Sequence, residues 1–161
     1  MATRDISLNG FALDKRQGRT PEPLNILSAE TLVKLANTDT YGAVAIFQQT
    51  MQLLAGPPLH RHGNEDEWFY VLEGQVTVEI DGRRIVLPAG HSAFAPRGTV
   101  HAIQNFGRVQ AQLLILVSPG HFQRLFEDLS ELSKEQAAPD SARIAQLAGQ
   151  YGIEVLGPPL S

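Results

Sequence analysis

Four side chains near the middle of the sequence have the types and spacing of a metal site. His60 and His62 are two residues apart, and Glu67 and His101 follow them along the chain. Because side chains on a β-strand alternate between its two faces, His60 and His62 would point to the same side of one strand. Three imidazoles and one carboxylate suit a single divalent transition metal ion, namely iron, manganese, nickel, copper, cobalt or zinc. We predict one such ion per chain, with His60, His62, Glu67 and His101 as its ligands.

The carboxylate of this set has three candidates, because Glu65 and Asp66 directly precede Glu67. We favour Glu67, since it begins the next strand and would share the inward face of that strand with Phe69 and Val71. Four protein ligands leave an octahedral ion about two open positions for water, oxygen or a substrate. Glu67 is then also the candidate catalytic residue, because on partial release from the ion it could accept a proton from a substrate hydroxyl.

Other polar side chains in this region are interpreted as structural or left open. His91 follows Gly90 in a turn-like segment, where we expect a solvated side chain, and His121 is expected near the start of a helix. Three glutamines allow two interpretations, since they would either orient a polar substrate or lie on a solvated edge face: Gln48, Gln52 and Gln104.

The segment that carries the candidate ligands has the rhythm of an all-β domain. Between residues 31 and 118, runs of about six residues are separated by turn signals, which is typical of β-sandwiches and barrels. Asp81-Gly82 between two alternating runs indicates a two-residue hairpin, because glycine accepts the positive φ of that turn. The run from Gln110 to Val117 is more continuously apolar, as expected of a buried strand.

After Ser118 the apolar spacing changes from that of strands to that of helices. Apolar residues recur at helical spacing from Phe122 to Leu132, which predicts a helix of about three turns. A second helix is predicted to begin at Pro139-Asp140-Ser141 and to end at Gly152. The chain therefore divides into an N-terminal arm, a barrel, and C-terminal helices that pack on the barrel or on a second copy: residues 1–30, 31–118 and 119–161.

Composition narrows the range of partners and sites. The 161 residues carry a net charge of −4 and include no cysteine, so we expect one domain without disulfides or thiolate metal sites. No basic stripe is present, and nucleic acid is therefore not an expected partner. The longest apolar run, Leu113 to Val117, is too short to span a bilayer. Without a signal-peptide pattern at the N-terminus, the expected location is the cytoplasm.

Nine residues at defined spacings resemble the two sequence motifs of the cupin superfamily. The series His60-x-His62-x4-Glu67-x6-Gly74 resembles the first motif, and the series Gly90-x5-Pro96-x-Gly98-x2-His101-x3-Asn105 resembles the second. The flanking strands and the helical tail are similar to those of small, single-domain bacterial cupins of the quercetin dioxygenase-like group. Two positions depart from the family pattern, because Gly56 is closer to the first histidine than usual and His91 stands where aspartate is common.

The resemblance implies a jelly-roll β-barrel with a metal ion in its mouth, held by His60, His62, Glu67 and His101. By family analogy it implies a homodimer and a metal-dependent oxidoreductase, most concretely a dioxygenase of a small aromatic or enol-type molecule. Two alternatives stay open: a non-catalytic module that binds or senses a small molecule, and an isomerase or lyase whose ion acts only as a Lewis acid. Trp68 and Tyr70 would face away from Glu67 and are predicted on the barrel exterior or in a dimer contact.

Overall fold

The structure, a computed structural model, describes residues 10–135 and 140–161. Two short 3₁₀ helices, Asn37–Thr40 and Gly120–Phe122, lie between longer elements. Within the described residues, eleven strands and two α-helices follow one another in this order: β1 (Leu24–Ile26), β2 (Ala29–Leu35), β3 (Ala45–Met51), β4 (His60–His62), β5 (Asp66–Glu73), β6 (Gln75–Ile80), β7 (Arg83–Pro88), β8 (Ser92–Ala95), β9 (Val100–Gln104), β10 (Ala111–Ser118), α1 (Gln123–Glu135), α2 (Ser141–Gly149) and β11 (Ile153–Val155).

The strands form two antiparallel sheets around a shared core. One sheet has the order β1-β2-β3-β10-β5-β8, and the other has the order β11-β4-β9-β6-β7. This arrangement confirms the predicted all-β jelly roll. It differs from a strict barrel, because across the described residues the hydrogen-bonded ladders remain two open sheets and do not close into one.

Alternating side chains supply the core of this jelly roll. Phe47 on β3, Ile115 on β10 and Phe69 on β5 lie in direct cross-strand register, and all three are buried. Val78 and Ile103 on the opposite sheet are buried in the same hydrophobic cluster. Because the side-chain period is two, the neighbours of these residues along each strand, such as Gln48 and Tyr70, lie on the outer face.

The predicted hairpin at Asp81-Gly82 joins β6 to β7. Both residues have positive φ, at 47° and 77°, as a type I′ turn requires. The turn fixes the register in which Ile80 pairs with Arg83, and thereby the position of β6 beside β9, which carries His101.

The C-terminal segment contains both predicted helices and one strand that sequence analysis did not predict. Buried apolar residues of α1 include Leu125, Phe126 and Leu129. Asp140 caps α2, where its carboxylate accepts a hydrogen bond of 2.7 Å from the backbone N–H of Arg143. Beyond the helix, β11 pairs antiparallel with β4. The tail is therefore helical but also completes the edge of the sheet that holds the paired histidines.

The N-terminal region also contributes to a sheet. Within the predicted arm, residues 1–30, β1 forms one short strand and β2 begins at Ala29; residues 1–9 lie outside the described residues. Residues 24–35 extend the six-stranded sheet, next to β3. Among the described residues, no helix has both the length and the apolar character needed to cross a membrane.

Candidate metal centre

The four predicted ligands come from both sheets and converge between them. His60 and His62 lie on β4, His101 lies opposite His60 on β9, and Glu67 lies near the start of β5 in the other sheet. One potential donor atom from each residue can be chosen so that all of them lie within 4.8 Å of one another. Donors bound to one ion at about 2.1 Å are themselves roughly 3–4 Å apart. The spacing of the four side chains therefore suits a single ion.

The Glu67 carboxylate lies between two of the imidazoles. Its Oε2 is 2.9 Å from Nε2 of His101 and 3.2 Å from Nε2 of His62. Glu67 is only 5% exposed. Burial would raise the pKa of this carboxyl, but the charge of His62 and the hydrogen bond with His101 outweigh burial and hold the pKa well below its ordinary value. Glu67 is therefore ionised, as a metal ligand must be.

The second ring nitrogen of each histidine faces an oxygen atom outside the cluster. Nδ1 of His60 lies 2.7 Å from the carbonyl oxygen of Pro58, and Nδ1 of His101 lies 3.0 Å from the carbonyl oxygen of Thr99. A carbonyl acceptor assigns the proton to Nδ1 and leaves Nε2 available as a ligand. For His62 the corresponding oxygen is Oε2 of Glu65, 3.5 Å from Nδ1.

The protonation of the histidines reflects these neighbours. Burial and the adjacent charges of His101 and His62 lower the pKa of His60 to about 4, so this imidazole is neutral near pH 7. Burial also opposes a charge on His62, but the carboxylates of Glu67 and Glu65 outweigh it and raise the pKa to about 9. In the absence of an ion, His62 is thus a cation between two carboxylates.

Two ring nitrogens of His62 that lack hydrogen bonds provide a direct test of the fit. Both of its ring nitrogens are buried, and neither makes a well-formed hydrogen bond within the described part of the chain. An ion at Nε2 would give this nitrogen a closer partner than the Glu67 carboxylate, whose Oε2 is 3.2 Å away. The nitrogen and oxygen donors are also those that borderline transition metals prefer. The residues therefore fit such an ion.

The structure separates the three candidate carboxylates. Asp66 points away from the cluster and forms an ion pair with Arg97, with Oδ2 2.9 Å from the guanidinium Nη2. Hydrogen bonds from the Arg97 side chain and backbone lower the pKa of Asp66 to about 2. Glu65 is buried beside His62 but is not one of the four clustered residues. Of these three carboxylates, Glu67 is the one that clusters with the imidazoles.

Other residues singled out in the sequence lie away from the cluster. His91 is exposed, as expected, and His121 lies in the 3₁₀ helix that leads into α1. The three glutamines differ in burial. Gln48 lies half-buried in β3, Gln52 is exposed, and the buried amide of Gln104 donates a hydrogen bond to the carbonyl of Leu54. None of these three lines the cavity beside the cluster.

One buried, inward-facing glutamine was not predicted from the sequence. Gln49 is buried between Phe47 and Met51 on the inner face of β3, and its Nε2 donates a hydrogen bond of 3.0 Å to the Thr31 hydroxyl. The available signal was its position midway between Phe47 and Met51, because residues two positions apart lie on the same face of a strand.

A cavity of about 70 Å³ adjoins the cluster and is bordered by His60 and Glu67. No lysine or arginine of the described residues lines it. Its walls are mostly apolar and include the side chains of Met51, Phe69, Ile103, Ile115, Phe122 and Phe126. A second, outer cavity of about 470 Å³ shares Leu27 and Gly56 with it and is bounded by α2 and the C-terminal segment. The inner cavity thus offers apolar contact beside the candidate metal ligands.

The comparison with known families agrees with this geometry, since residues 48–117 match the model of the cupin domain. The chain contains a cupin domain. Its matched residues include all four clustered side chains, and the resemblance inferred from the two motifs is confirmed.

Relatives of this cupin domain carry different names. Tetracenomycin polyketide synthase protein TcmJ of Streptomyces glaucescens is 27% identical over 120 residues, which cover 73% of each chain. Quercetin 2,3-dioxygenase of Bacillus subtilis is 36% identical over 72 residues, which are 45% of this chain and 21% of that protein. An RmlC-like cupin from Shewanella frigidimarina has a TM-score of 0.58 at 20% identity, over 72% of this chain and 96% of that one, and shows the fold alone.

Proposed function

We propose that this cupin is a metal-dependent oxidoreductase, dioxygenase-like in its reaction, that acts on a small aromatic or enol-type molecule. It would bind one divalent transition metal ion per chain through His60, His62, Glu67 and His101. The observation that carries the proposal is the convergence of these four side chains at the edge of an apolar, aromatic-lined cavity.

The walls of the cavity favour an uncharged substrate. No cationic side chain of the described residues lines it to balance a carboxylate or a phosphate, and burying an unpaired anion is costly. Phe69, Phe122 and Phe126 provide flat apolar surface for a ring. The names of two relatives, a polyketide synthase protein and a quercetin dioxygenase, are consistent with ring-containing molecules.

The protein's own residues supply positioning and a proton acceptor. When bound, a transition metal ion would supply a Lewis acid and, for every candidate except zinc, a redox centre. Glu67 borders the cavity and is ionised, so it can accept the proton of a substrate hydroxyl that reaches the cluster. The apolar walls exclude water from the same space and strengthen the electrostatic interactions inside it.

Oxygen consumption by metal-loaded protein tests this proposal. The protein would be loaded separately with Fe(II), Mn(II), Ni(II), Co(II), Cu(II) or Zn(II) and offered a 3-hydroxyflavone, a catechol or a 1,3-diketone. We expect uptake of oxygen with at least one redox-active ion, none with zinc, and none in His62→Ala. Protein that takes up none of these ions would contradict the proposal.

Two other outcomes would select the alternatives. Ligand binding without oxygen uptake or product would indicate a binding or sensing module. Conversion of substrate by the zinc form without oxygen would indicate an isomerase or lyase in which the ion is only a Lewis acid.

A second copy of the chain is the proposed partner. Trp68 and Tyr70 lie on the outer face of β5, away from Glu67, with ring centroids 5.7 Å apart. Phe94 lies opposite Trp68 on the edge strand β8 and is 54% exposed. Clustered aromatic side chains at a sheet edge are typical of a homodimer contact.

A further inference from the structure

We propose that Glu65 is a positioning residue for the metal centre, because its carboxylate holds Nδ1 of His62 and thereby directs Nε2 toward the ion. This inference rests on the proposed metal site. It assigns a role to a residue outside the four candidate ligands.

The placement of Glu65 is unusual for a carboxylate in a turn. Glu65 lies between β4 and β5, where a charged side chain would ordinarily reach solvent, yet it is only 7% exposed. Its Oε2 is 3.5 Å from Nδ1 of His62, which is 1% exposed. The two atoms form an ion pair at this distance, and among the described residues neither makes a well-formed hydrogen bond. Burying a carboxylate is costly unless it has a charged partner, and the nearest such partner is His62.

The other two imidazoles show why His62 needs a side chain. His60 and His101 each place Nδ1 against the backbone carbonyl of the residue two positions earlier, Pro58 and Thr99. No backbone carbonyl among the described residues is hydrogen-bonded to Nδ1 of His62. Glu65 thus occupies, for His62, the place that a carbonyl takes for the others.

A carboxylate in this position does more than fix the ring. An ionised acceptor pairs with an N–H more strongly than a neutral carbonyl does, and it makes the imidazole a better electron donor to the ion. Loss of such an outer partner typically lowers metal affinity about 10- to 100-fold. His62 would therefore be the most strongly donating of the three imidazoles.

Two substitutions at Glu65 and one matched control test this role. Glu65→Gln keeps the shape and an acceptor oxygen but removes the charge, and Glu65→Ala removes both. Asp66→Asn removes the same charge from the adjacent residue, which faces Arg97 and not His62. The measurements are Zn(II) affinity by competition with a chelator, the visible absorption spectrum of the Co(II) form, and the melting temperature of the metal-free protein.

We expect Zn(II) affinity to fall about tenfold in Glu65→Gln and up to about 100-fold in Glu65→Ala. The Co(II) spectrum should shift in both variants, and both metal-free proteins should keep a cooperative melt. Asp66→Asn should keep wild-type affinity and spectrum. A loss in Glu65→Gln, which keeps the shape and packing of the side chain, would show that the charge itself is needed.

Three results would overturn the inference. Wild-type affinity in both Glu65 variants would remove the role while leaving the metal site intact. An equal loss in Asp66→Asn, or loss of the cooperative metal-free melt, would assign the effect to general charge or to folding. A wild-type protein that takes up neither Zn(II) nor Co(II) would overturn the metal site itself, and this inference with it.

Discussion

His60 and His101 lie directly opposite each other on adjacent strands, with ring centroids 4.4 Å apart. Directly opposed residues of antiparallel strands have Cβ atoms about 4.5–5.5 Å apart, so the backbone ladder, and not side-chain flexibility, sets this separation. Half of the candidate ligand set is therefore positioned before any ion arrives.

Removing one ligand should abolish metal uptake without unfolding the protein. In His101→Ala we expect metal content to fall from about one ion per chain to near zero, because the ion loses one of its four donors and Glu67 loses the imidazole 2.9 Å from its Oε2. The β-signal in circular dichroism and a cooperative melt should persist, since the core of Phe47, Phe69 and Ile115 does not depend on the ion. Elemental analysis and thermal melts provide the measurements.

The control for this experiment is His91→Ala, which removes an exposed imidazole. It should leave both metal content and melting temperature unchanged. A small loss of melting temperature in His101→Ala is compatible with the site, because an ion that binds only the folded state stabilises it by mass action. Outright unfolding of the wild type by a chelator would instead identify a structural metal.

Metal affinity should rise with pH. Although burial opposes the charge, Glu67 and Glu65 raise the pKa of His62 to about 9 in the metal-free protein, whereas metal binding requires the neutral imidazole. Between about pH 7 and 9, each bound ion should therefore release one proton from His62, and affinity should increase about tenfold per pH unit. Glu67 is already ionised in this range and should release none.

Calorimetry in buffers of different ionisation enthalpy would count the released protons. A pH-independent affinity across this range would show that His62 is neutral before the ion binds. Without metal, the raised pKa of His62 has the opposite consequence for folding. Its contribution to stability is fully present below the ordinary pKa near 6.5 and is lost as pH rises through about 9.

The proposed homodimer should depend on the outer face of β5 and β8. Phe94→Asp places a charge among Trp68, Tyr70 and their symmetry-related copies, and we expect a monomer by light scattering. The matched control is Leu54→Asp, at another exposed apolar residue, which should remain dimeric. A wild type that is monomeric at high concentration would contradict the dimer.

The pairing of β11 with β4 should contribute to stability. Ile153 is buried and lies opposite His62. We expect Ile153→Ala to lower the free energy of unfolding by about 2–4 kcal/mol and to weaken metal binding, because β4 loses packing at its outer edge. Leu156→Ala, at an exposed position just beyond the strand, should change stability by less than about 0.5 kcal/mol. Denaturant melts of both variants in the presence of a chelator would measure the first effect.

Most of the site could be predicted from the sequence, because three of its four residues are close together along the chain. His60 and His62 share a face through the two-residue period of a strand, and Glu67 begins the next strand after a short turn. The position of His101 was not local, because it depends on pairing between β4 and β9. Its residue type and the resemblance to the second cupin motif connected it to the other three.

Other parts of the fold left too little signal in the sequence. Ile153-Glu154-Val155 is three residues long, which is too short for periodicity to distinguish a strand from a coil. The sequence predicted the jelly roll but not that its ladders stay in two open sheets, because alternation specifies which face is buried and not whether edges meet. The burial of Glu65 was also missed, because a carboxylate in a turn is ordinarily solvated.

The pairing of β11 with β4 joins residues that are far apart in the chain, with Arg61 and Glu154 separated by 93 positions. During synthesis on the ribosome, a chain that has emerged only through α2 already contains all four candidate ligands but lacks the outer neighbour of the strand that bears two of them. Closing so long a loop is among the slower steps of folding. Maturation of the centre would therefore wait for the C-terminal segment. Newly made chains would pass through a stage in which all four ligands are present but are held loosely.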